Sequence, residues 1–121
     1  MIHKMRLHTE PFEGIKSGKQ KIETRLFDEK RRLIKVGDRI VFLKRPEEKE
    51  EITVEVIKLA IFKSFEDLFN SAEKTLFGYP EEASLENQIT CMRKYYSLED
   101  EGKYGVVGMY LKTIDNLIKK D

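Results

Sequence analysis

The sequence of 121 residues has no tryptophan, only one cysteine, two histidines and three prolines. A single cysteine excludes an internal disulfide framework and is typical of a reducing compartment, so we expect a cytoplasmic protein. Cys91 lies close to the apolar stripe of a predicted helix, which favours a small buried side chain over a nucleophile. The histidines, His3 and His8, lie five residues apart on an apparent strand and so face opposite sides. Because no Cys/His cluster has zinc-site spacing, we expect neither a metal nor another cofactor.

Long apolar runs are also lacking. No run approaches the roughly 18 residues of a membrane-spanning helix, and residues 1–6 lack the apolar core of a secretory signal. We therefore expect no membrane partner. The chain is 40% hydrophobic and 37% charged, and its length suits a single domain. We assign residues 1–114 to that domain and residues 115–121 to a C-terminal tail.

The net charge of +1 hides an uneven distribution of charge along the chain. Residues 1–45 hold 13 Lys or Arg and 6 Asp or Glu, a balance of +7, whereas the remainder holds 10 and 16, a balance of −6. The basic part favours an anionic or nucleotide-like partner. The alternative interpretation is that the two parts neutralise each other within the fold.

Hydrophobic periodicity predicts the element order β-α-β-β-β-α-α-β. Strands are predicted at about 2–8, 21–26, 39–43, 52–62 and 104–111, with helices starting near Thr9, Ser64 and Ser84. Residues 73–83 are predicted to be irregular, and residues 97–103 are predicted to interrupt the last helix. About five strands, with helices inserted before the last one, indicate an α+β fold built on a small barrel.

The stretch Gly18–Arg25 combines a turn with a charged strand. Gly18 fits the left-handed position that closes many helices, because it adopts positive φ without penalty. Alternation places Glu23 and Arg25 on the same strand face as Lys21, while Gln20 is predicted to point the other way. An acid and a guanidinium this close form either a structural ion pair or part of a polar pocket.

This stretch resembles the signature of the ASCH family, a branch of the PUA-like superfamily, which is written Gly-x-Lys-x-x-Glu-x-Arg. Gly18, Glu23 and Arg25 fit the signature, and Gln20 occupies the lysine position. The likeness extends over about residues 2–112. It implies a PUA-like small mixed β-barrel of about five or six strands, flanked by helices, with a cleft beside the motif.

The resemblance also implies that RNA or a nucleotide-like molecule binds in this cleft. The candidate ligand-binding residues are Gly18, Lys19, Gln20, Lys21, Glu23 and Arg25, with Lys30, Arg31 and Arg32 as nucleic-acid contacts. Arg25 suits a phosphate or a base edge, and Glu23 suits a base amino group. Tyr79, Tyr96 and Tyr104 are candidates for a stacking face, or else half-buried structural residues.

Two alternatives remain open. Some members of the family are small hydrolases acting on N4-acylated cytidines, and ribonuclease activity is attributed to others. Here Glu23 would be the general base, with Lys21 and Arg25 stabilising negative charge. A second carboxylate would come from Glu81, Glu82 or Glu86. Because the Gln20 amide does not titrate, it cannot serve as a general base, and the motif favours a binding function over a catalytic one.

The second alternative is a structural role for the motif. The Glu23–Arg25 ion pair would close the barrel, and the domain would act through a protein partner. Lys30, Arg31 and Arg32 would then be ordinary surface charge.

Overall fold

The chain folds into one curled sheet with helices packed around it, and a computed structural model describes residues 1–114. The predicted tail at 115–121 lies outside the described residues. Within residues 1–114 the strands are β1 (Ile2–Leu7), β2 (Ile22–Leu26), β3 (Arg39–Lys44), β4 (Glu51–Phe62) and β5 (Val106–Thr113). The α-helices of this part are α1 (Thr9–Ser17), α2 (Phe65–Asn70), α3 (Leu85–Arg93) and α4 (Leu98–Tyr104), with 3₁₀ turns at Arg31–Leu33 and Lys74–Phe77.

The strand order of the sheet is β1-β3-β4-β5-β2. β1 runs parallel to β3, and the other neighbours are antiparallel. The sheet curls into a half-barrel, which confirms the predicted α+β, PUA-like fold. Because β1 and β2 are the two edge strands, the curl brings them together: Arg25 Nη2 on β2 donates a hydrogen bond to the Arg6 carbonyl on β1 at 2.8 Å.

The apolar core consists of two clusters. One packs Phe12 and Ile15 of α1 against β1, β3 and β4, and the other packs β2 and the start of β5 against α2. α1 ends at Gly18, whose φ of 85° is the predicted left-handed cap. At Gly108 of β5 an added Cβ would lie 2.8 Å from Leu68 Cδ1, so this strand glycine allows α2 to approach the sheet closely.

Two segments differ from the sequence prediction. Residues 97–103 do interrupt the preceding helix, but they also start α4, where the Ser97 hydroxyl caps the Asp100 amide at 3.1 Å. The prediction missed α4 because it is short, rich in charge and contains Gly102, so its period is weak. Part of the segment predicted to be irregular forms the 3₁₀ turn Lys74–Phe77. No helix within residues 1–114 has the length and apolar character that crossing a bilayer requires.

Candidate functional site

A large cleft of about 1490 Å³ opens where the two edge strands of the half-barrel meet. One wall comes from the end of β1 and the start of α1, and the base comes from β2. The 3₁₀ turn Lys74–Phe77 and the end of α3 complete the opposite wall. The cleft therefore lies beside the Gly18–Arg25 stretch.

The base of the cleft holds the Glu23–Arg25 ion pair, which we call the floor pair. Arg25 Nε donates to Glu23 Oε2 at 2.9 Å, and the two side chains are only 13% and 10% exposed. Burial lowers the pKa of Arg25, but the charge of Glu23 and its hydrogen bond outweigh burial and raise that pKa overall. Arg25 Nη1 has no hydrogen-bond partner among the described residues. The pair is therefore both a link between β1 and β2 and a charged group facing the cleft.

Gln20 also reaches the floor pair. Its amide nitrogen donates to the Ile22 carbonyl at 3.0 Å and to Glu23 Oε1 at 3.3 Å, and both partners are acceptors, which fixes the amide orientation. The predicted opposite orientation of Gln20 is wrong. β2 begins only at Ile22, so Gln20 lies in the preceding turn, where strand alternation does not apply. The side chain packs against Gly14 and Gly78, where an added Cβ would lie 3.2 and 2.6 Å from its Oε1.

A second ion pair lies beside the first at the cleft. Arg31 Nη1 contacts Asp28 Oδ2 at 3.3 Å, and the Arg31 backbone amide donates to Asp28 Oδ1 at 3.1 Å. Arg31 lines the cleft, and its Nε is shielded from solvent and has no hydrogen-bond partner in residues 1–114. The charges of both ion pairs act on the pKa of Tyr96, which the two arginines lower and the two carboxylates raise. The cleft thus contains two oriented guanidinium groups, and Nη1 of Arg25 and Nη2 of Arg31 have no hydrogen-bond partner in residues 1–114.

The lining of the cleft is strongly basic. Among the described residues it includes eight Lys or Arg but only three Glu side chains. The basic side chains are Lys4, Arg6, Lys19, Arg25, Lys30, Arg31, Arg45 and Lys94. They come from separate elements around the opening, so the positive charge of residues 1–45 is concentrated here and Lys94 adds to it.

Tyrosines form the wall on the α3 side. Tyr79, Tyr95 and Tyr96 line the cleft, whereas Tyr104 does not. Burial raises the pKa of the Tyr79 hydroxyl well above its usual range, and the neighbouring Cys91 adds to this shift. Burial likewise raises the pKa of Tyr96, although Arg25 opposes the shift. Both phenols therefore remain protonated donors at neutral pH.

The structure separates the sequence-predicted site residues into two groups. Lining the cleft are Lys19, Gln20, Glu23, Arg25, Lys30 and Arg31; away from the lining lie Gly18, Lys21, Arg32, Glu81, Glu82 and Glu86. Lys21 is exposed outside the cleft even though Glu23 and Arg25 line it. Cys91, for which the sequence favoured a small buried side chain, is half-buried and lines the cleft.

Sequence reasoning missed several lining residues. They are Lys4, Arg6, His8, Arg45, Lys94 and Tyr95. These residues come from segments far from the motif and are brought to it by the curl of the sheet. The one available signal was the excess of positive charge in residues 1–45. Within residues 1–114 no group of three or more His, Cys, Asp or Glu side chains is placed to hold a metal ion.

The ASCH domain model matches residues 5–113, which include nearly all of the described fold and the whole cleft. The chain belongs to the ASCH domain family. The PUA-like fold of this family is often linked to RNA binding. Comparison with curated proteins gave no match.

Solved structures agree with this assignment. The crystal structure of the hypothetical protein PH0355 is 38% identical, with a TM-score of 0.84, over 94% of this chain and 100% of that one. The solution structure of PF0455 from Pyrococcus furiosus is 36% identical, with a TM-score of 0.73, over 95% and 99%. ASCH from Zymomonas mobilis is 18% identical, with a TM-score of 0.63, over 90% of this chain and 65% of that one, and supports the fold alone.

Proposed function

We propose that this ASCH domain binds RNA or a nucleotide-like ligand in the cleft beside Gly18–Arg25. The observation that carries the proposal is the pair of oriented guanidinium groups in the cleft. Arg25 and Arg31 are each held by a carboxylate, yet Arg25 Nη1 and Arg31 Nη2 have no hydrogen-bond partner among the described residues. A planar guanidinium with unused donors suits a phosphate or a base edge.

The remaining lining of the cleft supports the same chemistry. Lys4, Lys19, Lys30, Arg45 and Lys94 are exposed around the opening, and none has an ion-pair partner in the described part of the chain. Such lysines contact phosphates and raise the rate of association with an anion. The tyrosines on the facing wall offer ring faces on which bases stack.

Hydrolysis has less support than binding. Both carboxylate oxygens of Glu23 accept hydrogen bonds, one from Arg25 and one from Gln20, so the group is held as a paired carboxylate. The other proposed catalytic residue, Lys21, lies outside the cleft. A base must reach the proton that it abstracts, and the present contacts leave Glu23 occupied by donors from the protein.

The link from Arg25 to β1 supports a structural contribution of the floor pair in addition to binding. Closing the sheet edges and binding a ligand are compatible, because different nitrogens of one guanidinium serve each role. Residues that line the cleft without holding the fold are therefore the best probes of binding.

Lys19 and Lys21 provide a matched test. Both are exposed and are two residues apart, but only Lys19 lines the cleft. We expect calorimetric titration to show binding of an RNA tetramer, weakened in Lys19→Ala and unchanged in Lys21→Ala. The slope of log K against log salt should fall by about 0.7 in Lys19→Ala, the value for one lost phosphate contact on a single strand. Absence of binding by the wild type, or equal loss in both variants, would overturn the proposal.

A further inference from the structure

Two aromatic rings, His8 and Tyr95, lie together at the rim of the cleft, and we call them the aromatic shelf. Their ring centroids are 5.5 Å apart and the planes are inclined by 33°. His8 follows β1 and Tyr95 follows α3, so the shelf joins opposite walls of the cleft. His8 also lines a smaller groove of about 370 Å³ that the floor pair does not reach. The shelf is therefore a separate part of the cleft.

The packing of Tyr95 differs from that of the adjacent Tyr96. Tyr96 stacks on the buried Phe65 ring at 5.7 Å between centroids, which ties it to the core. Tyr95 is 57% exposed, and its hydroxyl has no hydrogen-bond partner among the described residues. Its ring contacts are with His8 and, at 6.4 Å, with Tyr96. Because little of the fold depends on Tyr95, its exposed ring is free to contact a ligand.

Positive charges flank the shelf on both sides. Lys94 precedes Tyr95, lines the cleft and has no ion-pair partner in residues 1–114. Arg45 lines both the cleft and the smaller groove beside His8. An accessible ring with cations on either side is the arrangement that binds a base and its neighbouring phosphates in single-stranded nucleic acids.

We propose that His8 and Tyr95 form a second stacking subsite, so that the ligand is a single-stranded polynucleotide of at least two nucleotides. One nucleotide lies at the floor pair and the next base stacks on Tyr95. The inference rests on the proposed function and extends it from a nucleotide to a strand. The cleft volume of about 1490 Å³ exceeds the roughly 300–1,000 Å³ of small-molecule sites, which fits a ligand longer than one nucleotide.

The test compares ligand length in the full chain with and without the Tyr95 ring. The probes are the four ribonucleoside 5′-monophosphates, mixed dinucleotides and RNA and DNA tetramers, titrated against wild type, Tyr95→Ala and Tyr95→Phe. Leu98→Ala is the control, because Leu98 is 72% exposed and lies outside the cleft. We expect the wild type to bind dinucleotides more tightly than mononucleotides.

Tyr95→Ala should weaken dinucleotide and tetramer binding by roughly 5- to 150-fold, the range for one stacked base, and leave mononucleotide binding within about twofold. Tyr95→Phe and Leu98→Ala should retain wild-type affinity. The affinities of the RNA and DNA tetramers are then compared, and the tetramer that binds more tightly shows whether the strand is RNA or DNA.

The two proposals fail in different ways. Wild-type binding of mononucleotides with no gain from a second nucleotide overturns the stacking subsite while keeping the nucleotide-binding function. Equal weakening of mononucleotides and dinucleotides in Tyr95→Ala also overturns it, because the loss then reflects the cleft as a whole. If no mononucleotide, dinucleotide or tetramer binds the wild type, the proposed function itself is wrong.

Discussion

Among the described residues, two glutamate–arginine pairs with a buried glutamate use the same chemistry in different places. In the first, the floor pair, Glu23 and Arg25 line the cleft. In the second, which we call the helix pair, Glu101 of α4 accepts from Arg93 Nη2 at 2.6 Å and from the Phe65 amide at 2.7 Å, where α2 begins. The helix pair lies outside the cleft lining.

The pairs differ in position, because Arg25 lines the cleft whereas Arg93 lies outside its lining. Both Glu101 oxygens bind groups that hold α2, α3 and α4 together, so this carboxylate acts as a helix cap and a link. Arg25 and Arg93 each use two nitrogens for the fold, Arg93 donating to Glu101 and to the Tyr96 carbonyl, and each keeps one nitrogen without a hydrogen-bond partner among the described residues. Burial and pairing therefore do not distinguish the two pairs, whereas an unpartnered donor at the cleft does.

Breaking the helix pair should have the largest effect on stability. Glu101→Ala removes the acceptor of Arg93 Nη2 and of the buried Phe65 amide, and we expect the free energy of unfolding to fall by about 3 kcal/mol. Urea denaturation measures this change. The exposed Glu99 in the first turn of α4 is the control, and Glu99→Ala should cost less than about 0.5 kcal/mol. RNA affinity of folded Glu101→Ala should match wild type; a specific loss of binding would make the pairs equivalent.

Breaking the floor pair should affect both stability and binding. Arg25→Ala leaves the Glu23 carboxylate without its main partner and removes the link to β1, so we expect a loss of about 2 kcal/mol. Affinity for an RNA tetramer should fall about tenfold or more, because a charged donor to the ligand is lost. The matched variant Arg93→Ala should lose stability and retain affinity. Equal affinities of the two folded variants would contradict the comparison.

Two glycine variants separate the effect of displacing Gln20 from the effect of backbone strain. Gly78 and Gly37 both have positive φ, 91° and 96°, but only at Gly78 would a Cβ meet Gln20 Oε1. Gly37→Ala should cost about 1 kcal/mol from the backbone alone, and Gly78→Ala about 2 kcal/mol. Denaturation and RNA titration measure both variants. Only Gly78→Ala should weaken RNA binding, because it displaces Gln20 from Glu23. Equal RNA affinities of the two variants would show that Gln20 does not contribute to the ligand site.

The smallest expected effect on stability concerns Asp38, a carboxylate outside both pairs. The pKa of Asp38 is lowered to about 2 by hydrogen bonds of its carboxylate with His3, with the Lys35 amide and with the N-terminus. The ordinary value is about 4. Since the folded pKa is depressed, Asp38 stabilises the fold fully above about pH 4, and this contribution is lost as the pH falls towards 2.

Unfolding free energies measured over that pH range should show this loss in the wild type. It should be absent in Asp38→Asn, and RNA affinity at neutral pH should be unchanged. The same acid dependence in both proteins would assign the effect to other carboxylates.

The sequence could predict those features of the fold and the site that depend only on residues close together in the chain. Gly18 ends α1 because only local conformation matters there, and Glu23 and Arg25 share a side because they lie two residues apart within β2. Gln20 was placed wrongly because its direction depends on where β2 starts. Tyr95 was missed because α3 reaches the motif only through the curl of the sheet, which periodicity does not encode.

The most direct test of the central claim is a ¹H–¹⁵N shift titration of the wild type with a short single-stranded RNA. We predict that saturable shifts cluster at residues 19–25, at Arg31 and at Lys94–Tyr96, while the Phe65 and Glu101 amides at the helix pair stay unchanged. Shifts centred on the helix pair, or no shifts at all, would contradict the claim that the floor pair, and not the helix pair, forms the ligand site.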